Sequence, residues 1–306
     1  MQKKLAFDIG VNNGDDTEYY LKKGYRVVAI DANPKLCDQV AAKFAAQIQT
    51  NDLFVVNVGV GDTDGILDFY VDTWQDTTST FVPQPNSDNR YKVVPIPTTT
   101  LSALFSIYGR PDLLKIDIEG YDLKVLANLS KSAIKPKYIS IEAHEIDVLC
   151  LLVCMGYDQF KIVDSAKVHG NFASLEITTL TGARTFHNFN QNSSGPFGED
   201  LPLDWQDKNA AFRRYFETTT SWRDIQAKDT RPIYIEDAQR QGVANPEAVV
   251  SSAFSYWSRY PDVANDSHYG KYGELGFRGA HEHYSVYGTL EKREWPNCTN
   301  QSIIEK

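Results

Sequence analysis

Leu113-Leu114-Lys115-Ile116-Asp117-Ile118-Glu119-Gly120-Tyr121-Asp122-Leu123-Lys124-Val125-Leu126 is the stretch on which the reading of this chain turns. Leu113, Leu114, Ile116 and Ile118 spell a buried strand, and Asp117 and Glu119 stand at its end. Gly120 breaks the strand, and Leu123, Val125 and Leu126 give a helix that is apolar on one side. In an open α/β sheet, ligands bind beyond the carboxyl ends of the strands. Acids at that place are positioned for chemistry or for ligand binding. A capping acid followed by a surface acid at a strand-to-helix turn would produce the same letters.

The N-terminal segment repeats the arrangement. Leu5-Ala6-Phe7 is a short apolar strand, followed by Asp8-Ile9-Gly10-Val11-Asn12-Asn13-Gly14, a helix from Thr17 to Lys23, and a second strand from Arg26 to Ile30 that ends in Asp31-Ala32-Asn33-Pro34. Glycines in the first strand-to-helix loop let the backbone approach a ligand closely, because no Cβ intervenes. An acid at the end of the second strand, roughly 20 residues on, can accept both hydroxyls of a ribose. The Gly10-x-x-x-Gly14 spacing departs from the dinucleotide fingerprint. An adenosine ligand without a pyrophosphate is therefore favoured over a nicotinamide dinucleotide.

Strand and helix patterns alternate from here to about residue 182. A helix is read from Lys35 to Ala46, a strand from Leu53 to Val58, and two more exposed strands at Gly65–Val71 and Val93–Ile96. Between those two lies a Thr-, Asp- and Asn-rich loop from Asp72 to Arg90. Thr100 caps a helix to Tyr108, Tyr138 to Glu142 is a strand, and Glu145 to Met155 is a helix. Phe160–Val163 and Leu175–Leu180 are expected to close the sheet. Such alternation argues for a mainly parallel, doubly wound sheet.

Composition fits an enzyme with a core of its own: 306 residues, 42% hydrophobic, 23% charged, net charge -9. The negative balance and the lack of basic runs leave no electrostatic footprint for nucleic acid. The longest apolar stretch, Val148 to Met155, is too short to span a bilayer, and Met1-Gln2-Lys3-Lys4 leaves no room for a signal peptide. Cys37, Cys150, Cys154 and Cys298 form no Cys-x-x-Cys pair. Cys150 and Cys154, one helical turn apart among leucines, read as core packing in a reducing cytosol.

Several segments, in order, resemble the FkbM family of S-adenosylmethionine-dependent O-methyltransferases. They are Phe7–Gly14, Asp31–Pro34, Asn57-Val58-Gly59-Val60-Gly61-Asp62, Lys115–Gly120, Ile139-Ser140-Ile141-Glu142-Ala143-His144 and Ser193-Ser194-Gly195-Pro196-Phe197-Gly198-Glu199-Asp200-Leu201-Pro202. Tyr121-Asp122 departs from the family, which more often has a small residue and then Glu. The resemblance implies a seven-stranded class I methyltransferase (Rossmann-like) sheet whose end carries a reversed hairpin. It implies S-adenosyl-L-methionine as cofactor, with Asp8, Gly10, Asn12, Gly14, Asp31, Ala32, Asn57, Gly59 and Asp117 binding it. Asp31 would hold the ribose hydroxyls, Gly10 and Gly14 would admit the methionine and adenosine portions, and Asp8 or Asp117 would meet the ammonium.

Methyl transfer to an alcohol needs the acceptor oxygen in line behind the methyl group and a base for its proton. Glu119, Glu142 and His144 remain for the acceptor side, and His144 is the best base by intrinsic pKa. No metal is assigned. Asp117, Glu142 and His144 could alternatively ligate a divalent ion that lowers the acceptor's pKa.

Residues 183–243 interrupt the alternation. Their turn-rich part, Asn188 to Pro202, suits an acceptor lid or a linker. Residues 244–306 form a further unit. Asn245-Pro246-Glu247 is a helix start, and Tyr260-Pro261-Asp262-Val263 with His283-Tyr284-x-x-x-Gly288 resembles the small helical module found beside bacterial glycosyltransferases and surface-polysaccharide enzymes. Trp257, Tyr260, Tyr269, Tyr272, Phe277, Tyr284, Tyr287 and Trp295 serve its core or stack on sugars. His281 and His283, two apart, do not share a helical face for zinc.

The expected domains are thus a 1–182 methyltransferase core, a 183–243 lid or linker, and a 244–306 helical module. The expected protein is a cytoplasmic O-methyltransferase acting on a hydroxyl of a sugar, nucleotide sugar or glycan in polysaccharide biosynthesis. Self-association as a homodimer and association with glycan-assembly enzymes are left open. A non-catalytic glycan-assembly scaffold, or an oxidoreductase binding a nucleotide, are the readings from other classes.

Overall fold

The computed structural model describes residues 3–84, 89–132, 134–190, 193–218, 220 and 222–296. Cys298 and the end of the helical module lie outside them. Twelve strands occur among the described residues: β1 (Leu5–Ile9), β2 (Arg26–Asp31), β3 (Leu53–Asn57), β4 (Gly59–Gly61), β5 (Gly65–Asp72), β6 (Tyr91–Thr100), β7 (Leu113–Ile116), β8 (Tyr138–Glu142), β9 (Gln159–Asp164), β10 (Ser174–Thr178), β11 (Arg184–Asn188) and β12 (Arg223–Lys228). The chain divides into two compact units, the first ending at Asp229 and the second beginning at Thr230.

Seven strands of the first unit form one sheet in the order β3-β2-β1-β7-β8-β12-β9. Neighbours run parallel, with Phe7 in register with both Val28 and Leu114. The exception is β12, antiparallel to both β8 and β9. This is the class I methyltransferase sheet, with one reversed strand set next to its edge. Alternate residues of β1 feed two cores. Leu5, Phe7 and Ile9 pack with α4 (Leu101–Tyr108), α5 (Asp122–Leu129), α6 (Asp147–Cys154) and α8 (Lys208–Glu217). Ala6 points to the opposite face, among Tyr19 and Tyr20 of α1 (Asp15–Lys23) and Val40 of α2 (Pro34–Lys43). Helices on both faces explain why β1 and β7 are buried at every position and are apolar except at Asp8 and Lys115. Each buried Phe, Leu or Ile there contributes roughly 1.5–3 kcal/mol.

Local signals hold at several boundaries. Thr100 caps α4 by accepting from Ala103 N (3.2 Å). The helix expected from Lys35 to Ala46 ends at Lys43 and resumes as α3 (Ala45–Gln49). β4, β5 and β6 make a separate three-stranded sheet beside the main one.

Three expectations need correction. Leu175–Leu180 does not close the main sheet: β10 pairs only with β11, as an antiparallel hairpin. The closing strand is β12, 45 residues further on, in a stretch expected to be lid or linker. Cys150 and Cys154 are exposed, because α6 turns Val148, Leu149 and Leu152 inward instead; Cys37 is buried.

β12 escapes a reading by periodicity because its polar face is buried and satisfied from afar. Ile225 and Ala227 join the core, while Asp224 and Gln226 are 5% and 2% exposed. Gln226 accepts from Gly198 N (3.0 Å) and donates to Pro196 O (2.9 Å). The neighbouring Lys161 donates to Gly198 O (2.6 Å) and Leu201 O (2.8 Å). Tyr19 Oη donates to Asp200 (2.6 Å) and accepts from Phe197 N (3.1 Å). The Ser193–Leu201 segment is therefore a strap fastened down across the sheet and α1.

The second unit is helical. It holds α9 (Arg231–Arg240), α10 (Pro246–Arg259), α11 (Pro261–Ala264) and α12 (Gly279–His283). Asn245 caps α10 through Ala248 N (3.2 Å). Trp257, Tyr260, Tyr269, Tyr284 and Trp295 pack around Tyr256, and Phe277 packs with Tyr234 and Val250; Tyr272 and Tyr287 are left exposed. His283 Nδ1 lies 3.2 Å from Tyr256 Oη within this core. No helix among the described residues is long and apolar enough to cross a membrane.

Replacing Gln226 by Leu should leave the Gly198 amide and the Pro196 carbonyl buried without partners. Each such group costs about 1–3 kcal/mol. Urea unfolding of Gln226→Leu should show a lower midpoint at an unchanged slope. A midpoint equal to wild type would mean that the strap is not held by this residue.

Candidate functional site

A cavity of about 390 Å³ opens at the carboxyl ends of β1, β2, β7 and β8. Gly10, Asn12, Asp31, Ala32, Gly59, Asp117, Glu119, Glu142 and His144 all line it. At one end, Asp31 terminates β2, 9% exposed, with Oδ1 accepting from Asn33 N (2.8 Å) and Oδ2 from Asn12 N (3.1 Å). Burial raises its pKa to about 6, against those two amides, which favour the charged form. Asn12 reaches it from a left-handed backbone, φ 48°. Asn57 does not line the cavity; it donates to the carbonyls of Asp31 (2.9 Å) and Ala32 (3.1 Å) and so fixes the strand end. Val58, Val60, Phe69 and Phe81 provide an apolar wall.

The two glycines have different surroundings. A Cβ on Gly10 would lie 1.8 Å from the Asp117 carbonyl oxygen, and its φ is +80°. Glycine is required there to let the β1 and β7 loops touch. Gly14 faces Phe44 and Val40 and stands outside the cavity lining.

Asp8 also stands outside the lining. It is fully buried, accepts from Thr17 Oγ1 (2.6 Å), and lies 3.5 Å from Lys115 Nζ. Burial, partly offset by Lys115, raises its pKa to about 6. Lys115 belongs to the Lys115–Gly120 motif, where sequence alone assigns it no role. It sits 4% exposed at the centre of the acids, within 3.4–3.5 Å of Asp8, Asp16 and Asp117. Burial opposes its charge, but Asp117, Asp8 and Asp16 together outweigh that and hold it charged. A lysine between Leu114 and Ile116 of an apolar strand was the available signal, since a buried charge requires partners.

The residues expected on the acceptor side, Glu119, Glu142 and His144, stand beyond β7 and at the end of β8. His144 Nε2 makes an ion-pair contact of 3.2 Å with Glu142 Oε2; His144 is 43% exposed and Glu142 4%. The Glu142 carboxylate raises the His144 pKa to about 9. A histidine expected to act by its ordinary pKa is thus an imidazolium at neutral pH. Glu119, at φ 53°, has its pKa raised to about 8 by burial and by Glu142. Asp224 on β12 is a further buried acid that sequence reading missed, its pKa pushed well up by burial and by Asp117.

Tyr121 and Asp122, where the chain departs from the family it resembles, have clear roles. Asp122 accepts from Ile118 N and Gly120 N, both at 3.0 Å, and so ties the Asp117–Gly120 loop to the start of α5. Tyr121 packs on Phe81, 5.6 Å between ring centres. The long 72–90 loop also contributes: Gln75, Thr77, Thr78, Ser79 and Phe81 line the cavity, and Thr80 Oγ1 donates to Glu119 O (2.7 Å). Among the described residues no group of His, Cys, Asp or Glu is arranged to hold a metal ion. The conditional set Asp117, Glu142 and His144 therefore does not come together as ligands.

Residues 8–150 match the family model described as the methyltransferase FkbM domain. The match runs from β1 into α6 and includes Asp31, Asp117, Glu119, Glu142 and His144. No curated protein matches the chain significantly. Solved structures with likeness include precorrin-6y C5,15-methyltransferase from Geobacter metallireducens (12% identity, 75% of this chain and 82% of that one, TM-score 0.33). Another is a SAM-dependent methyltransferase from Aquifex aeolicus (15%, 53% and 77%, TM-score 0.30). A third is 1,6-didemethyltoxoflavin-N1-methyltransferase from Burkholderia thailandensis, solved with S-adenosylhomocysteine (12%, 75% and 72%, TM-score 0.29). These likenesses are remote, and the fold rests on the strand order itself.

The raised pKa values have a consequence for stability. Asp8 and Asp31 (about 6) and Glu119 (about 8) bind protons more tightly folded than unfolded, as does His144 (about 9). Stability then falls as pH rises through these windows: from about 4 to 6 for the two aspartates, 4 to 8 for Glu119, and 6.5 to 9 for His144. The ligand-free protein should melt at a higher temperature at pH 5.5 than at pH 8.5. A melting temperature that climbs over that interval would contradict these assignments.

Proposed function

We propose that the chain is an S-adenosylmethionine-dependent O-methyltransferase acting on a hydroxyl of a bacterial sugar or glycan. The observation that carries this reading is the separation within one cavity. The buried Asp31 ends β2, near the apolar Val58 and Val60, and the half-exposed His144 with Glu142 stands at the end of β8, with β1 and β7 between the two strands. The residues fit the cofactor chemically. Asp31 would offer a carboxylate to ribose hydroxyls, the apolar wall suits a flat adenine, and Asp117, whose side chain is 32% exposed, would meet an α-ammonium. The surrounding acids favour a ligand carrying positive charge.

When bound, the cofactor supplies an electrophilic methyl group on a sulfonium. The protein's share is orientation and proton transfer. His144 with Glu142 would take the proton of an acceptor hydroxyl held in line with the methyl group that the bound cofactor would supply. Since His144 holds a proton up to about pH 9, it works as a base only in its neutral fraction. The cationic cofactor nearby increases that fraction. The acceptor class is supported by the aromatic second unit, in which Tyr272 and Tyr287 are exposed. A cytoplasmic location and a part in polysaccharide assembly belong to the same reading.

Calorimetric titration with S-adenosylhomocysteine, then labelled-methyl transfer to a panel of sugars, nucleotide sugars and glycans, tests the proposal. Tight binding without transfer to any of them would favour a scaffold that keeps the fold. Asp31→Ala removes charge-assisted bonds worth about 1.5–3 kcal/mol each. Its S-adenosylhomocysteine dissociation constant should rise at least about tenfold while the melt stays cooperative. An unchanged constant would remove Asp31 from the cofactor site.

For His144 the expectation concerns both rate and pH. The kcat/KM of the wild type should climb from pH 7 and level off near pH 9. His144→Ala should lower the plateau by about 10²–10⁴ and abolish the climb, with cofactor affinity little changed. A variant that turns over normally once folded would leave His144 a structural residue.

A further inference from the structure

Among the described residues lining the cavity, Lys115 is the only lysine or arginine. Its ammonium draws together four groups from three parts of the chain: Asp8 near the end of β1 (3.5 Å) and the carbonyl of Gly10 just after it (3.0 Å), Asp16 in the first turn of α1 (3.5 Å), and Asp117 beyond β7 (3.4 Å). Asp16 in turn accepts from Ser193 Oγ (2.5 Å) and from Ser194 N (3.2 Å to each oxygen). Ser194 Oγ lies 3.5 Å from Asp117 Oδ2, which closes the circuit. The strap thus reaches the cavity through Asp16 and Asp117.

The three carboxylates are not equivalent. Asp8 is fully buried, its Oδ1 has no hydrogen bond, and it does not reach the cavity. Asp16 is occupied by the strap. Asp117 alone keeps an open face. One ammonium among three carboxylates leaves negative charge over, and Asp117 is where a second cation can meet it.

We propose that Lys115 is a positioning residue. It fixes Asp117 and the strap residues Ser193 and Ser194 as one unit that receives the α-ammonium of the ligand's zwitterionic amino-acid end. This rests on the cofactor reading above. Lys115 touches no reacting atom in this scheme; it acts through Asp117 and Asp16.

The test compares two nucleosides that share adenosine and differ in the amino-acid end: S-adenosylhomocysteine, and 5′-methylthioadenosine, which lacks it. Calorimetry on the full chain should show Lys115→Met binding S-adenosylhomocysteine at least about tenfold more weakly, a difference of about 1.4 kcal/mol. Ser193→Ala should weaken it by about threefold or more. Both variants should bind 5′-methylthioadenosine within about twofold of wild type. A purely structural role would weaken both nucleosides alike, and that result overturns the proposal. So does unchanged S-adenosylhomocysteine affinity in Ser193→Ala, which alone decides the matter if Lys115→Met does not fold. If the wild type binds neither nucleoside, the cofactor reading fails and this inference with it. If the wild type binds and the variants match it, only this inference fails.

Discussion

Crowding of carboxylates around a single buried ammonium is the constraint on which the rest of this molecule depends. Asp8, Asp16 and Asp117 converge on Lys115, and Glu119, Glu142 and Asp224 stand just beyond. Unit charges 4 Å apart interact by about 4 kcal/mol at the effective dielectric of a protein surface. Such a group cannot remain fully ionised without compensation. The protein compensates in three ways: it buries Lys115 at the centre, it leaves protons on Glu119 and His144, and it points backbone amides at Asp31 and Asp122. The remaining imbalance faces an open cavity, where a positively charged group can meet it at Asp117.

The second dependence is between β12 and the strap. A strand with Asp224 and Gln226 on one face could not lie inside a sheet unless that face were satisfied. Gln226 and Lys161 obtain their partners from the backbone of Pro196, Gly198 and Leu201. The strap gains equally, since its own carbonyls and amides would otherwise be buried without partners. Its fastening extends to Asp16 and so to the cavity. The geometry of β12 and the geometry of the site are aspects of one hydrogen-bonded assembly.

The parts of the fold that could be read from sequence are those whose stabilisation is local or apolar. β1, β2 and β8 are apolar runs with clear ends, and Thr100 and Asn245 cap the helices that follow them. Asp31, Asn12, Gly59, Asp117, Glu119, Glu142 and His144 share one cavity because motifs at strand ends stay close in an open sheet. What escaped reading was non-local. β12 is stabilised by residues about 30 positions earlier, whereas Leu175–Leu180, with a good apolar pattern, is taken up by an adjacent hairpin. Asp8 and Gly14 resemble ligand contacts in sequence yet face Thr17 and Phe44. The outward placement of Cys150 and Cys154 depends on the rotation of α6, which leucine content alone does not determine.

The position of β12 governs the order in which this chain can assemble. β9 has no direct pairing with β8: β12 lies between them, paired with β8 on one side and with β9 on the other. Until residues 223–228 have left the ribosome, β8 presents Tyr-Ile-Ser-Ile-Glu as an unpaired edge and β9 has no sheet to join. Five parallel strands can form early, but the sheet closes only after a loop of about eighty residues from β8 has been drawn back. Contacts of such sequence separation are slow to form, and an apolar edge left open meanwhile is a template for association with other chains. Chaperone demand during synthesis should therefore concentrate in the interval between completion of β8 and arrival of β12.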